Sequence, residues 1–146
     1  MHTGHLIQHG EFHLAINGQI LVAYARGSWN EEAALAYSEE YRAQAGRFHG
    51  HWGHLVLLDE WSLGIPEIVP VIQQLVSWSV ENGLTRAAHV YSPSMLKQLQ
   101  LEEMIHDGGA FIHKGFANLD DAVDWLAREG YRLDADVEVR WQSGTR

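Results

Sequence analysis

Hydrophobic and polar residues follow patterns typical of β-strands in some segments of this chain and patterns typical of α-helices in others. Short apolar runs at Gly10 to Ile16 and Ile20 to Ala25 flank Asn17-Gly18, a pair that favours a tight β-hairpin because both residues tolerate positive φ. The stretch His54 to Leu58 shows no period-two alternation, which is typical of a strand covered on both faces. The pattern therefore predicts an opening hairpin and a buried central strand.

Helical periodicity appears after the loop Asp59-Glu60-Trp61. Apolar residues from Ile68 to Val80 recur at spacings of three and four, which predicts an amphipathic helix. Capping residues predict the starts of three more helices, and two further runs read as short strands. The predicted helix starts are Ser28 or Asn30, Ser92-Pro93 and Asn118, and the strands are Ala87 to Tyr91 and Ala110 to Phe116.

The predicted order of elements is ββαβαβαβα. Parallel strands need helical crossovers, so this order favours an α/β fold with a mixed, mainly parallel sheet flanked by helices. No internal repeat or linker interrupts the chain before Gly130. We therefore expect one domain over residues 1–131 and a separate tail over 132–146.

The tail has a pattern of its own. Five apolar residues alternate with charged ones, as in a half-buried strand; they are Leu133, Ala135, Val137, Val139 and Trp141. A free strand would expose this apolar stripe, so it is expected to pair with a sheet edge of its own chain or of a second copy. We predict a homodimer to which residues 133–141 contribute.

Composition excludes several classes of function. The chain has 10 Lys and Arg against 19 Asp and Glu, a formal net charge of −9, which disfavours binding to nucleic acid or to anionic membranes. Cysteine is absent, which removes disulfides, thiol nucleophiles and zinc–thiolate sites. Without a signal sequence or an uninterrupted apolar span, a cytoplasmic protein with no membrane insertion is expected.

Candidate binding residues lie in the loops that follow the predicted parallel strands. These loops converge on one edge of an open α/β sheet, where ligands usually bind. The residues there are two indoles, carboxylates, hydroxyls and an amide, namely Ser28, Trp29, Asn30, Asp59, Trp61, Glu67, Ser92 and Ser94. They form either a pocket for a small or amphipathic ligand, or a set of helix caps and core aromatic residues without a binding role.

No catalytic constellation is visible in the sequence. His49, His51 and His54 are the tightest histidine group, but they lack an evident acidic fourth ligand, and His89 lies in an apolar run where a core or rim histidine is expected. There is no nucleophile elbow and no glycine-rich phosphate loop. We predict no metal, no cofactor and no enzymatic activity.

Several segments together resemble the SpoIIAA-like proteins of the STAS and Sec14-like fold group, which are relatives of the bacterial anti-sigma factor antagonists. The resemblance covers roughly His9 to Tyr131. It is carried by Gly27 to Ala33, Leu55 to Trp61 with Pro66-Glu67, Leu75 to Gly83, Tyr91 to Ser94 and Phe116 to Leu126. It implies a mixed sheet flanked by helices and a small regulatory or ligand-binding module.

One departure from that family bears on regulation. The antagonists carry an Asp-Ser-Ser-Gly phosphorylation site at the start of the helix that follows the strand matching Leu55 to Asp59. This chain has Gly64-Ile65-Pro66-Glu67-Ile68 there, with no hydroxyl, and the nearest serine is Ser62. We therefore predict no phosphorylation switch. The expected function is a noncatalytic module that acts through protein contacts, or alternatively a binder of a lipid or other small apolar ligand between sheet and helices.

Overall fold

The computed structural model describes residues 7–137. Within this range the chain forms six strands and four helices. In chain order they are β1 (Glu11–Asn17), β2 (Ile20–Trp29), α1 (Glu31–Ala45), β3 (Trp52–Leu57), β4 (Trp61–Gly64), α2 (Ile68–Glu81), β5 (Leu84–Val90), α3 (Met95–Met104), β6 (Ile112–Phe116) and α4 (Leu119–Arg128). The mixed α/β class predicted from the pattern is confirmed.

The strands form one sheet in the order β1-β2-β3-β5-β6, and β4 pairs with the end of β2. Only the β1–β2 hairpin is antiparallel, and all other pairs are parallel. The hairpin turns at Gly18, whose φ of 65° suits glycine. Strand β3 lies at the centre of the sheet, as its unbroken apolar run predicts.

Each face of the sheet carries its own apolar cluster. On one face, α1, α2 and α3 pack over residues such as Ala23, Val56 and Ala87. On the other face, α4 is the one helix of the described residues that covers Val22, Leu55 and Ala88, and it does so with Trp125 and Leu126. The sheet therefore divides the protein into a thicker three-helix side and a thinner one-helix side.

Two local predictions need correction. Trp61 does not lie in a loop but opens β4, which extends the sheet because its register pairs Gly27 with Trp61. Helix α3 is capped by Ser94, whose side chain accepts a hydrogen bond from the Lys97 backbone N–H, rather than by Ser92-Pro93. Both errors concern a few residues between a strand and a helix, where tertiary pairing outweighs local signals.

The described part of the tail is not a strand. Residues 131–137 run without regular structure, and the Asn17 side chain bonds the backbone of Asp134 and Ala135. Leu133 and Val137 pack against the cluster under α4 of their own chain. The strand predicted over 133–141 is therefore not formed up to Val137, and its remaining residues, Val139 and Trp141 included, lie outside the described range.

Candidate functional site

Four of the predicted binding residues are helix caps or exposed residues of the sheet edge. Asn30 caps α1 by accepting a hydrogen bond from Ala33 at 3.0 Å, and it also bonds the backbone of Ile7 and His9. Ser94 caps α3. Ser28 and Glu67 are exposed, and the Glu67 side chain makes no capping hydrogen bond to α2. None of these four side chains lines the cavity described below.

Asp59 and Ser92 connect the ends of two neighbouring strands. The Asp59 carboxylate accepts hydrogen bonds from the backbone N–H and the hydroxyl of Ser92, at 2.7 and 3.1 Å. Lys97 of α3 joins this network, because its Nζ lies 2.9 Å from the carbonyl oxygen of Leu58 and 3.3 Å from that of Asp59. This network fixes α3 over the carboxyl end of β3.

A second polar connection holds the same helix. The side-chain amide of Gln100 accepts a hydrogen bond from the Gly64 backbone N–H at 2.9 Å and donates one to the Gly64 carbonyl at 2.8 Å. Gln73 of α2 donates to the Glu103 carbonyl at 2.8 Å. Helix α3 is therefore fastened by side chains to β4 and to α2, while its outer face exposes Met95, Leu96 and Leu99.

The two indole side chains, unlike the polar residues of the sheet edge, are buried. Trp29 and Trp61 are each only 4% exposed. Trp29 packs at 5.2 Å from the ring of Tyr37 and donates its indole N–H to the Arg26 carbonyl at 3.1 Å. Both indoles line a cavity below the sheet edge.

This cavity lies between the sheet and helices α1, α2 and α3, and its volume is about 90 Å³. Its walls are predominantly apolar, and the part of the chain that the structure describes contributes no Asp, Glu, Lys or Arg to them. The lining residues include Val56, Leu58 and Ala87 from the sheet, Ile68, Ile72 and Leu75 from α2, and Leu101 and Met104 from α3 with Ile105 and Phe111 beyond it. The cavity is thus shaped by the three-helix side of the protein.

Two histidines supply the polar atoms of the sheet wall. His54 is held by the Leu21 carbonyl, 2.7 Å from its Nδ1, while its Nε2 lies 3.5 Å from the Tyr37 hydroxyl. Burial lowers the pKa of His54 to about 4. Burial also lowers the pKa of His89 to about 3, with further contributions from the nearby His54 and His113. Both imidazoles are therefore neutral at pH 7.

The residues that define the cavity were mostly missed by the sequence argument. Only Trp29 and Trp61 of the eight predicted residues line it, and the other six do not. His54 and His89 lie on adjacent strands, with His54 opposite Ala87 and Val56 opposite His89. The available signal was the shared inward position of these residues on β3 and β5, which becomes visible only when the strand register is known.

The three histidines that are closest in sequence, His49, His51 and His54, differ in burial. His54 is buried, whereas His49 and His51 are exposed. Within residues 7–137, no group of three His, Asp or Glu side chains is placed to hold a metal ion. In the same part of the chain, no helix is both long and apolar enough to cross a membrane.

A mainly parallel sheet with an antiparallel edge hairpin and helices on both faces defines this chain as having a SpoIIAA-like fold. A solved structure from Shewanella loihica PV-4, an uncharacterised protein of the DUF3478 family with a SpoIIAA-like fold, matches with a TM-score of 0.59. The two sequences are 15% identical, and the match covers 86% of this chain and 98% of that one. No family model and no curated protein matches the sequence.

Proposed function

We propose that this protein is a noncatalytic binding module whose ligand is a small, largely apolar molecule held in the cavity under α3. The observation that supports this function is the cavity itself, which has a volume of about 90 Å³ and no charged lining residue. Apolar walls with few polar groups are typical of small-molecule sites. A reaction would need an effective acid, base or nucleophile close to the ligand, and the imidazoles of His54 and His89, with pKa values of about 4 and about 3, are weak bases at pH 7.

The volume sets the size of the ligand. Engineered apolar cavities of about 150 Å³ accept benzene or xenon, whereas most ligand pockets measure roughly 300 to 1,000 Å³. A cavity of about 90 Å³ accepts only a compact molecule. A lipid chain would require α3 to move away from the sheet, so the lipid alternative is less well supported than a small apolar ligand.

Xenon binding tests this function on the full chain, with methyl NMR shifts as the measurement. We expect xenon to shift methyl signals of cavity residues such as Leu101 and Ile105. The variant Ala87→Val adds two methyl groups to the cavity wall and should weaken the shifts. Ala88→Val is the matched control, because Ala88 faces α4 on the opposite side. Methyl groups of the cavity that do not respond to xenon in the unmodified protein would contradict the proposed function.

Contact with a protein partner is a second candidate function, favoured by the outer face of α3. Met95, Leu96 and Leu99 are 77%, 66% and 53% exposed, and adjacent exposed apolar side chains are a common feature of protein interfaces. A second copy of the chain is the partner that the predicted homodimer would supply.

Sedimentation equilibrium of Leu96→Glu tests this interface. Leu35→Glu on α1 is the control, because Leu35 is 51% exposed in the native chain. A dimer lost only in Leu96→Glu supports the interface, and a dimer that persists in both variants contradicts it.

A further inference from the structure

Two polar residues of the cavity wall, Trp61 and His89, have no hydrogen-bond partner for their side-chain nitrogens within residues 7–137; of the two, only His89 presents both a donor and an acceptor. It lies on β5 with 3% of its surface exposed and lines the cavity. Among residues 7–137 its imidazole has no hydrogen-bond partner, whereas His54 bonds the Leu21 carbonyl and the Tyr41 hydroxyl accepts a hydrogen bond from Ser79 at 2.9 Å. The expectation of a core or rim position is confirmed, but the ring is not satisfied by the protein.

The neighbouring His113 does not supply a hydrogen bond to the His89 ring. The His113 ring lies 5.7 Å away in an edge-to-face arrangement, and its Nδ1 is already 2.6 Å from the Asp107 carboxylate. A buried polar group without a partner destabilises a protein by an amount comparable with a lost hydrogen bond. Because His89 lines the cavity, a molecule held there can complete the hydrogen bonds of the ring.

The chemistry of the wall restricts what that molecule is. A neutral imidazole presents one N–H donor and one nitrogen acceptor, so it pairs with a hydroxyl or a carbonyl. Among residues 7–137 no charged side chain lines the cavity, and a buried ion without a counter-ion is strongly disfavoured. The remaining walls, formed by residues such as Leu75, Leu101 and Phe111, contact only apolar atoms.

We propose that the cavity ligand is a compact, uncharged molecule with an apolar body and one hydroxyl or carbonyl group that hydrogen-bonds the His89 imidazole. This inference rests on the proposed function, since it requires that the cavity accepts a ligand. It adds the ligand's polarity and charge, and it identifies His89 as the residue that selects for them.

Three probes of similar shape separate these properties: cyclopentane, cyclopentanol and cyclopentylammonium. Their affinities for the full chain are measured by NMR titration at pH 7, for the unmodified protein and for His89→Leu. His106→Leu is the matched control, because it makes the same substitution at an exposed histidine that does not line the cavity. Urea unfolding of each variant verifies that it is folded before the titration.

We expect cyclopentanol to bind the unmodified protein and His106→Leu, and cyclopentylammonium to bind neither. In His89→Leu the affinity for cyclopentanol should fall about tenfold, the effect of one lost hydrogen bond, while cyclopentane changes less than threefold. The ¹⁵N shifts of His89 should respond to cyclopentanol and not to cyclopentane.

If cyclopentane binds, and if the affinity for cyclopentanol is the same before and after His89→Leu, the inference is overturned and the proposed function still stands. Binding of cyclopentylammonium would also overturn it. If neither xenon nor any probe enters the cavity, the proposed function itself fails. A His89 signal that is insensitive to cyclopentanol, although the alcohol binds, would mean that bound water satisfies the ring, which also overturns the inference.

Discussion

The buried histidines predict a steep loss of stability in mild acid. His54 and His89 are 6% and 3% exposed, and burial lowers their pKa values to about 4 and about 3. In the unfolded chain both rings return to a pKa near 6.5. At pH values between the folded-state and the unfolded-state pKa values, the unfolded chain binds protons that the folded chain does not. The free energy of unfolding therefore falls as the pH falls below 6.5.

The size of the effect follows from proton linkage. Each proton bound only by the unfolded chain lowers stability by about 1.4 kcal/mol per pH unit, so two histidines give a slope of about 2.7 kcal/mol per pH unit. Between pH 7 and pH 5 the loss amounts to about 4 kcal/mol, a large share of the roughly 5 to 15 kcal/mol typical of a domain. Above pH 7 the two rings are neutral in both states and contribute no pH dependence.

Urea denaturation at pH values from 7 to 5, followed by tryptophan fluorescence, measures this slope. The variant His89→Leu removes one of the two protons, so its slope should be smaller by about 1.4 kcal/mol per pH unit. His106→Gln is the control for loss of a histidine at an exposed position, and its slope should match that of the unmodified protein. Comparing variants cancels the contribution of the carboxylates, which is common to all three chains.

The reasoning would be refuted by equal slopes for His89→Leu and the unmodified protein. That result would mean that His89 takes up its proton in the folded state, which requires water or a counter-charge at the ring. A direct NMR titration of His89 would then show a pKa close to 6.5 rather than one near 3.

Three further predictions can be tested separately. Trp61→Ala should lower the free energy of unfolding by about 3 to 5 kcal/mol in urea denaturation, because Trp61 is 4% exposed; a loss below 1 kcal/mol would favour a surface binding role instead. Phosphopeptide mapping should find no phosphate at residues 64–68, which lack a hydroxyl, and a stoichiometric phosphate on Ser62 would contradict the missing switch. A chain ending at Gly130 should be less stable or aggregate in sedimentation experiments, because it loses the packing of Leu133 and Val137 on the α4 side; an equally stable, soluble protein would show that the tail is dispensable.

The sequence alone was enough to predict the layered fold, because its main signals are local. Asn17-Gly18 permits the hairpin turn, and the apolar spacing of Ile68 to Val80 matches a helix that is observed from Ile68 to Glu81. Asn118 caps α4 as predicted, accepting a hydrogen bond from Asp121 at 2.9 Å. Each of these features acts within a few residues of the chain, so no knowledge of distant contacts was required.

Strand β4 and the tail show where local signals were insufficient. Trp61 to Gly64 is a strand only because the end of β2 lies beside it, and nothing within four residues reveals a distant partner. The tail has the alternation of a strand, but up to Val137 it packs irregularly on its own chain, held by Asn17. In both places tertiary contacts outweigh the local pattern.

The candidate site was decided almost entirely by the tertiary structure. Sequence reasoning located the carboxyl edge of the sheet and two of its buried aromatic residues, Trp29 and Trp61, but it could not show that six of the eight chosen residues serve as caps, strand connections or exposed positions. The cavity forms where β3, β5 and α3 meet, and its unpaired His89 comes from a run that reads as ordinary core. An empty volume and an unsatisfied nitrogen are properties of the assembled packing, because both depend on what distant parts of the chain leave unfilled.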